Sequence, residues 1–192
     1  MPEIDDERAE VINYGLQILV GEIPKVFIML VIAYVLGVFK LTLIAFLLIM
    51  PYRATSGGIH MHSHIGCIIL TCFMYAGPAI LSKYIVFTEM AKYMVIIAVW
   101  IFSMLMIKLY APADTEDVPI LENKVRRKKQ IASYLLVTIG LILAMFIKDN
   151  LLSNILIFGN LIQTILITKL AYRLANNKYG YEVYKDTSEE LV

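Results

Sequence analysis

"IGCIILTCFMYAGPAILS", residues 65–82, carries no charge in eighteen positions, and its reading decides the solvent in which this chain folds. As a helix rising about 1.5 Å per residue, such a run nearly matches the roughly 30 Å hydrocarbon core of a bilayer. On either side lie further apolar stretches at 26–39, 41–52, 84–110, 131–147 and 151–172, separated by charge, glycine or proline. Hydrophobic residues make up 59% of the chain and mean hydropathy is +0.73, well above the roughly 45–50% of a soluble domain, which excludes a water-soluble globule. The expected architecture is all-α: one membrane domain over 1–192, a polytopic helical bundle of five or six hydrophobic segments behind an amino-terminal amphipathic helix.

Two of these segments need comment. Residues 41–52 reach only about 18 Å as a helix, so they are either re-entrant or continuous with 26–39. The start, "PEIDDERAE", is acidic where a cleaved signal would be basic, so retention of the amino terminus is expected. Residues 5–20 place acids in the first turn and Val11, Ile12, Leu16, Ile18 and Leu19 on a lipid-facing side. That pattern suits an interfacial helix able to hold a partner peptide, and equally a simple lead-in to the first crossing.

Charge distribution sets the expected orientation. Lys124, Arg126, Arg127, Lys128 and Lys129 make the 111–130 loop cytoplasmic by the positive-inside rule. Two crossings return residues 53–64 to the same side. The basic cluster serves topology and anionic headgroups, or attracts an acidic ligand. Glu89 and Lys92 are spaced to pair near a helix end. Cys67 and Cys72 fall on different faces of one helix, so no disulfide is expected. The net charge of +1 says little by itself, and no nucleic-acid partner is expected.

All three histidines, His60, His62 and His64, lie in "GGIHMHSHIGC", residues 57–67. In a continuous helix His60 and Cys67 would sit about 10.5 Å apart along the axis, beyond the roughly 2.6–3.2 Å of direct proton transfer. Gly57 and Gly58 favour a turn, however, and Ser63 suits an N-cap, so His60 falls on a loop free to fold back and Cys67 near a first helical turn. There the helix dipole and a neighbouring imidazole favour a thiolate, giving a nucleophile with its base. Three other readings stay open on the residues alone. His64, three positions before Cys67, competes as base; H-x-H-x-H-x-x-C suits zinc; or the histidines are structural. A small membrane permease or metal or proton transporter using His60, His62, His64 and Cys67 is the functional alternative. Only scattered groups, such as Asn160, Gln163 and Thr164 in the last stretch, supply the midplane polarity it would need, and their spacing suits helix packing equally well.

"YRATSGGIHMHSHIGC" resembles the signature of AgrB, the accessory gene regulator protein B family of Gram-positive bacteria, with Arg53, Gly57, Gly58, His60 and Cys67 in matching order. A second region, "YAPADTEDVPILENKVRRKK" at 110–129, resembles the family's loop. The resemblance implies a multi-pass protein of the bacterial cell membrane, a cysteine endopeptidase with its active site on the cytoplasmic side. Its partners would be a short propeptide of the AgrD type, membrane lipids and a second copy in a homodimer. Cys67 would be the nucleophile and His60 the base, with no cofactor or metal and no role for His62, His64 or Cys72. Cleavage would leave a thioester on Cys67, which an internal precursor thiol displaces to give a cyclic thiolactone quorum-sensing peptide. In support, Gly57 and Gly58 would form a turn, admit peptide backbone or offer N–H groups to an oxyanion. Arg53 would bind a peptide carboxylate or a headgroup, and Arg126, Arg127, Lys128 and Lys129 an acidic precursor tail. Asp114 would receive basic residues or orient His60 without being a third catalytic member.

Overall fold

The apolar runs become helices, and the breaks fall where glycine, proline or a capping side chain interrupts them. The computed structural model describes the backbone of residues 6–61, 63–116 and 118–189, with side chains from 21 to 184 within those ranges. In order the helices are α1 (Asp6–Val35), α2 (Phe39–Ser56), α3 (His64–Tyr84), α4 (Glu89–Tyr110), α5 (Asn123–Phe146), α6 (Asn150–Leu166), α7 (Lys169–Leu174) and α8 (Gly180–Glu189). Among the described residues there is no strand, only the isolated bridges Gly57–Ala113 and Thr115–Val118. The fold is an all-α polytopic membrane helical bundle, in which α2, α3, α4 and α5 are each long and apolar enough to cross a bilayer.

Several boundaries differ from expectation for physical reasons. The separate 5–20 and 26–39 segments are one helix, α1, running through Pro24. The side chains of 5–20, on which the amphipathic reading rests, lie outside the described residues. Gly37, at φ 67°, ends the turn after α1, so α2 is not its continuation. At 18 residues α2 rises about 27 Å, which removes the length objection to a crossing. Thr88 accepts the Ala91 N–H and starts α4 five residues later than the apolar run begins. The 111–130 loop stops at Glu122, and Lys124 to Lys129 occupy the first turns of α5. Thr168, which accepts the Ala171 N–H, splits 151–172 into α6 and α7.

Most of α6 is buried, and it packs against α2, α3, α4 and α5. Lipid offers no hydrogen bonds, so its polar side chains must find partners on neighbouring helices. Thr164 Oγ1 lies 3.0 Å from the Tyr52 hydroxyl and 2.9 Å from Ser103 Oγ. Gln163 Nε2 donates to Ser56 Oγ and the Gly57 carbonyl, both at 2.8 Å. Asn160 donates within α6 to the Leu156 carbonyl. These contacts assign the three residues to packing. At one end of the bundle Lys92 is buried and donates to the Ile147 carbonyl at 3.1 Å, so it does not form the expected pair with Glu89. The carbonyl end of α5 is the negative pole of its dipole, which suits an ammonium.

At the other end, the carboxyl ends of α2, α4 and α6 meet the amino ends of α3 and α5. Ala113 N–H donates to the Ser56 carbonyl and Gly58 N–H to the Ala113 carbonyl, both at 2.8 Å, while Ile59 N–H reaches the Leu166 carbonyl at 3.2 Å. Gly57 and Gly58 take φ of 71° and 129°, a region that glycine alone enters cheaply, and a Cβ on Gly57 would overlap the Ala113 carbonyl. Gly57→Ala is expected to lower stability by roughly 1–3 kcal/mol, and Gly37→Ala, with open space around its Cβ position, by less. Thermal midpoints of the two detergent-solubilised variants would check the order.

Candidate active site

Cys67 owes its place to a cap. Ser63 Oγ accepts the Gly66 N–H at 3.0 Å and the Ser63 carbonyl accepts the Cys67 N–H at 3.0 Å, so α3 begins at His64 and Cys67 lies in its first turn. The expected N-cap is therefore the one observed. The Cys67 thiol donates to the Met61 carbonyl at 3.1 Å. His60 lies on the loop between α2 and α3, where its backbone N–H donates to Asn177 Oδ1 at 2.8 Å. With the helix broken at 57–63, His60 and Cys67 line the same cavity of about 450 Å³ and share a neighbouring one of about 210 Å³. His64 is exposed and lines the smaller of the two. His62 lies outside the described residues. Both cysteines are free thiols, and no group of three metal-ligating side chains occurs among the described residues.

Arg53 and the glycine pair act together, and the pair forms the expected turn. Arg53 Nη1 donates to the Gly57 carbonyl at 3.0 Å and Nη2 to the Ile59 carbonyl at 2.7 Å. Its planar fork therefore clamps the 57–59 turn, and the side chain also borders the cavity. Gly57 N–H donates to the Arg53 carbonyl at 3.0 Å and Gly58 N–H to Ala113, so neither amide is open to an oxyanion. A Cβ on Gly58 would overlap the Arg53 guanidinium. The pair is a turn that admits the clamp.

Asp114 and Arg126 are likewise engaged with the fold. Asp114 Oδ2 accepts the Ile120 N–H at 2.9 Å and meets Arg126 Nη1 at 3.1 Å, with the carboxylate wholly buried. Arg126 also donates to the carbonyls of Ile120 (3.1 Å) and Pro112 (3.3 Å), and its guanidinium sits 4.2 Å over the Tyr181 ring. Both side chains thus hold the 112–120 loop together. Arg127 and Lys128 are exposed, and of the four cations singled out at 126–129, Lys129 borders the cavity.

The remaining wall residues differ in how far local spacing reveals them. Glu22 and Lys25 of α1, paired at 2.7 Å, reach the cavity from across the bundle. Thr71, Met74 and Tyr75 stand four, seven and eight residues after Cys67, on its helical face, so this spacing was legible. Behind the loop, Tyr172 donates its hydroxyl to the Asp114 carbonyl at 3.1 Å and Tyr179 to the Ile167 carbonyl at 3.0 Å. Burial pushes both phenols up, so each stays a donor through the physiological pH range.

Comparison with known proteins bears on the site as a whole. The family model described as Accessory gene regulator B matches residues 1–167. An AgrB-like protein of Clostridium acetobutylicum is 27% identical, over 88% of this chain and 78% of its own length. Another from Listeria innocua is 28% identical, over 94% and 88%. The accessory gene regulator protein B of Staphylococcus aureus (strain Newman) is 29% identical, over 72% and 70%. No solved structure matches.

Because the Asp114 carboxylate is enclosed, removing its partner strands a charge. Arg126→Met is expected to destabilise by about 3–5 kcal/mol, and Asp114→Asn with Arg126→Met to recover much of that loss. Chemical-denaturation midpoints in detergent would measure both.

Proposed function

This chain belongs to the accessory gene regulator B family, AgrB, with a role in quorum sensing, and on that premise we propose that it is a membrane cysteine endopeptidase acting on a short propeptide of the AgrD type. The observation that supports this most is that His60 and Cys67, separated by seven positions, border one cavity because the helix is broken between them. A thiol at a helix amino terminus that shares a cavity with an imidazole suits nucleophilic catalysis.

In the proposed cycle the Cys67 S–H turns from the Met61 carbonyl to the His60 imidazole, which takes the proton. Catalytic hydrogen bonds are often completed only when substrate binds, so the resting contact to Met61 is compatible with this step. The thiolate attacks a peptide carbonyl of the precursor, with the positive end of the α3 dipole facing the developing oxyanion. His60 then gives its proton to the departing amine, the carboxy-terminal part leaves, and a thioester to Cys67 remains. A cysteine within the retained part transfers its proton to His60 and attacks that thioester; the Cys67 thiolate is expelled and reprotonated, and a thiolactone ring closes. One thioester replaces another, so no ATP is needed.

Ring closure must outrun hydrolysis. Val26, Phe46, Met50, Leu70 and Met74 give the cavity an apolar wall, which limits water and holds the acyl chain near its own thiol. Lys129 and the Glu22–Lys25 pair supply charge for contacts with the propeptide. The basic start of α5 lies at the same end of the bundle as His60, which by the positive-inside rule supports a site on the cytoplasmic face of the cell membrane.

In proteoliposomes with a propeptide of this type, wild type is expected to release the carboxy-terminal fragment. Cys67→Ala should abolish release, His60→Ala should reduce it by roughly 100-fold or more, and His64→Ala should leave it near wild type. Intact-mass spectrometry reads all four, and undiminished release by Cys67→Ala would end the proposal.

A further inference from the structure

The segment after α7 lies beyond the matched residues 1–167, yet it touches the loop that carries His60. Its geometry starts from a helix cap. Asn176 takes φ 54°, a left-handed conformation that asparagine tolerates better than other residues with a Cβ. Its N–H donates to the Arg173 carbonyl at 3.2 Å, and the Asn177 N–H reaches back to the Tyr172 carbonyl at 2.9 Å. With Ala175 as the C-cap of α7, these are the paired bonds of a Schellman motif. That motif reverses the chain and fixes the direction of the next residue, Asn177.

The reversed chain is itself anchored. The Tyr179 ring stacks on Tyr172 at 4.0 Å and 11°, and its hydroxyl bonds the Ile167 carbonyl. Gly180 N–H approaches the Asp114 carbonyl at 3.4 Å, and a Cβ there would overlap the Thr115 carbonyl. From this anchored turn Asn177 presents Oδ1 to the His60 backbone N–H at 2.8 Å, while its Nδ2 faces the Ala175 carbonyl at 3.4 Å. In the same stretch of backbone, the Ile59 carbonyl, in one peptide unit with the His60 N–H, is held by Arg53, and the Ile59 N–H by the Leu166 carbonyl. Both polar groups of the peptide unit entering His60 are thus held, and Asn177 supplies the partner of its N–H.

We infer that Asn177 is a positioning residue: the Schellman cap of α7 delivers its carboxamide oxygen to the His60 amide and so sets where the imidazole stands relative to Cys67. This rests on the peptidase reading for its catalytic consequence, but its structural content is independent of it. The acceptor oxygen is the working group. Aspartate keeps that oxygen, alanine removes it.

The test uses the full chain in nanodiscs as wild type, Asn177→Ala and Asn177→Asp, with two readouts. Hydrogen exchange of a peptide covering 57–61 is expected to speed up in Asn177→Ala and stay near wild type in Asn177→Asp, with α2 and α6 unchanged in both. With saturating propeptide, single-turnover release should fall roughly 10- to 100-fold in Asn177→Ala, at an unchanged half-saturating concentration, and within about threefold of wild type in Asn177→Asp. Equal exchange in Asn177→Ala and wild type, equal impairment of both variants, or protection lost throughout α2 and α6 would each overturn the positioning role. If wild type releases nothing while the exchange pattern holds, the peptidase reading fails and the contact between Asn177 and the His60 loop stands.

Discussion

Two backbone hydrogen bonds on either side of Ala113, its N–H to Ser56 and its carbonyl to the Gly58 N–H, govern how the chain leaves the bundle and returns to it. At a lipid boundary backbone groups without partners are costly, so the end of α2 must be paired with something. The 111–115 segment takes that role, and it can come close enough only because residue 57 has no side chain. Once the contact forms, Arg53 closes over the turn, Gln163 reaches Ser56 and Gly57 from α6, and the chain re-enters the membrane at Ser63. His60 is left on the rim of the cavity that Cys67 enters from the first turn of α3. The geometry of the site is thus a consequence of how a short loop satisfies its own backbone.

The charged residues around the loop divide the work in a way that composition does not show. Arg53, Asp114 and Arg126 all lie in or next to the regions that resemble the family's motifs, and all three bind backbone carbonyls or N–H groups of their own loops. Such contacts hold the loop in one shape at low exposure, where a mobile lysine would hold it less well. Lys129, Glu22 and Lys25 remain as the charged groups at the cavity wall outside these clamps. The clamped charges thus belong to the scaffold, and a second set lines the cavity.

Much of this was readable in the sequence where one local force dominates. Apolar runs gave the helices, Ser63 gave the start of α3, and the glycine pair marked the turn, because burial, capping and backbone freedom act over a few residues. Boundaries were less legible: α1 runs through Pro24, and the basic cluster proved to be the first turns of α5, since neither is decided by hydropathy alone. What could not be read were contacts set by the tertiary fold. Arg53 as an intrachain clamp, Lys92 on the Ile147 carbonyl, Glu22 and Lys25 on the cavity wall, and Asn177 on His60 join residues across loops or helices that no spacing rule connects.

The central claim is that Cys67 carries the acyl group. Mixing wild type with propeptide, quenching in acid within a single turnover and mapping the Cys67 peptide by tandem mass spectrometry tests it most directly. The account predicts that the amino-terminal part of the propeptide is found on Cys67 and that hydroxylamine removes it. Release of the carboxy-terminal fragment with Cys67 unmodified at every quench time, and the adduct on another residue, would contradict it.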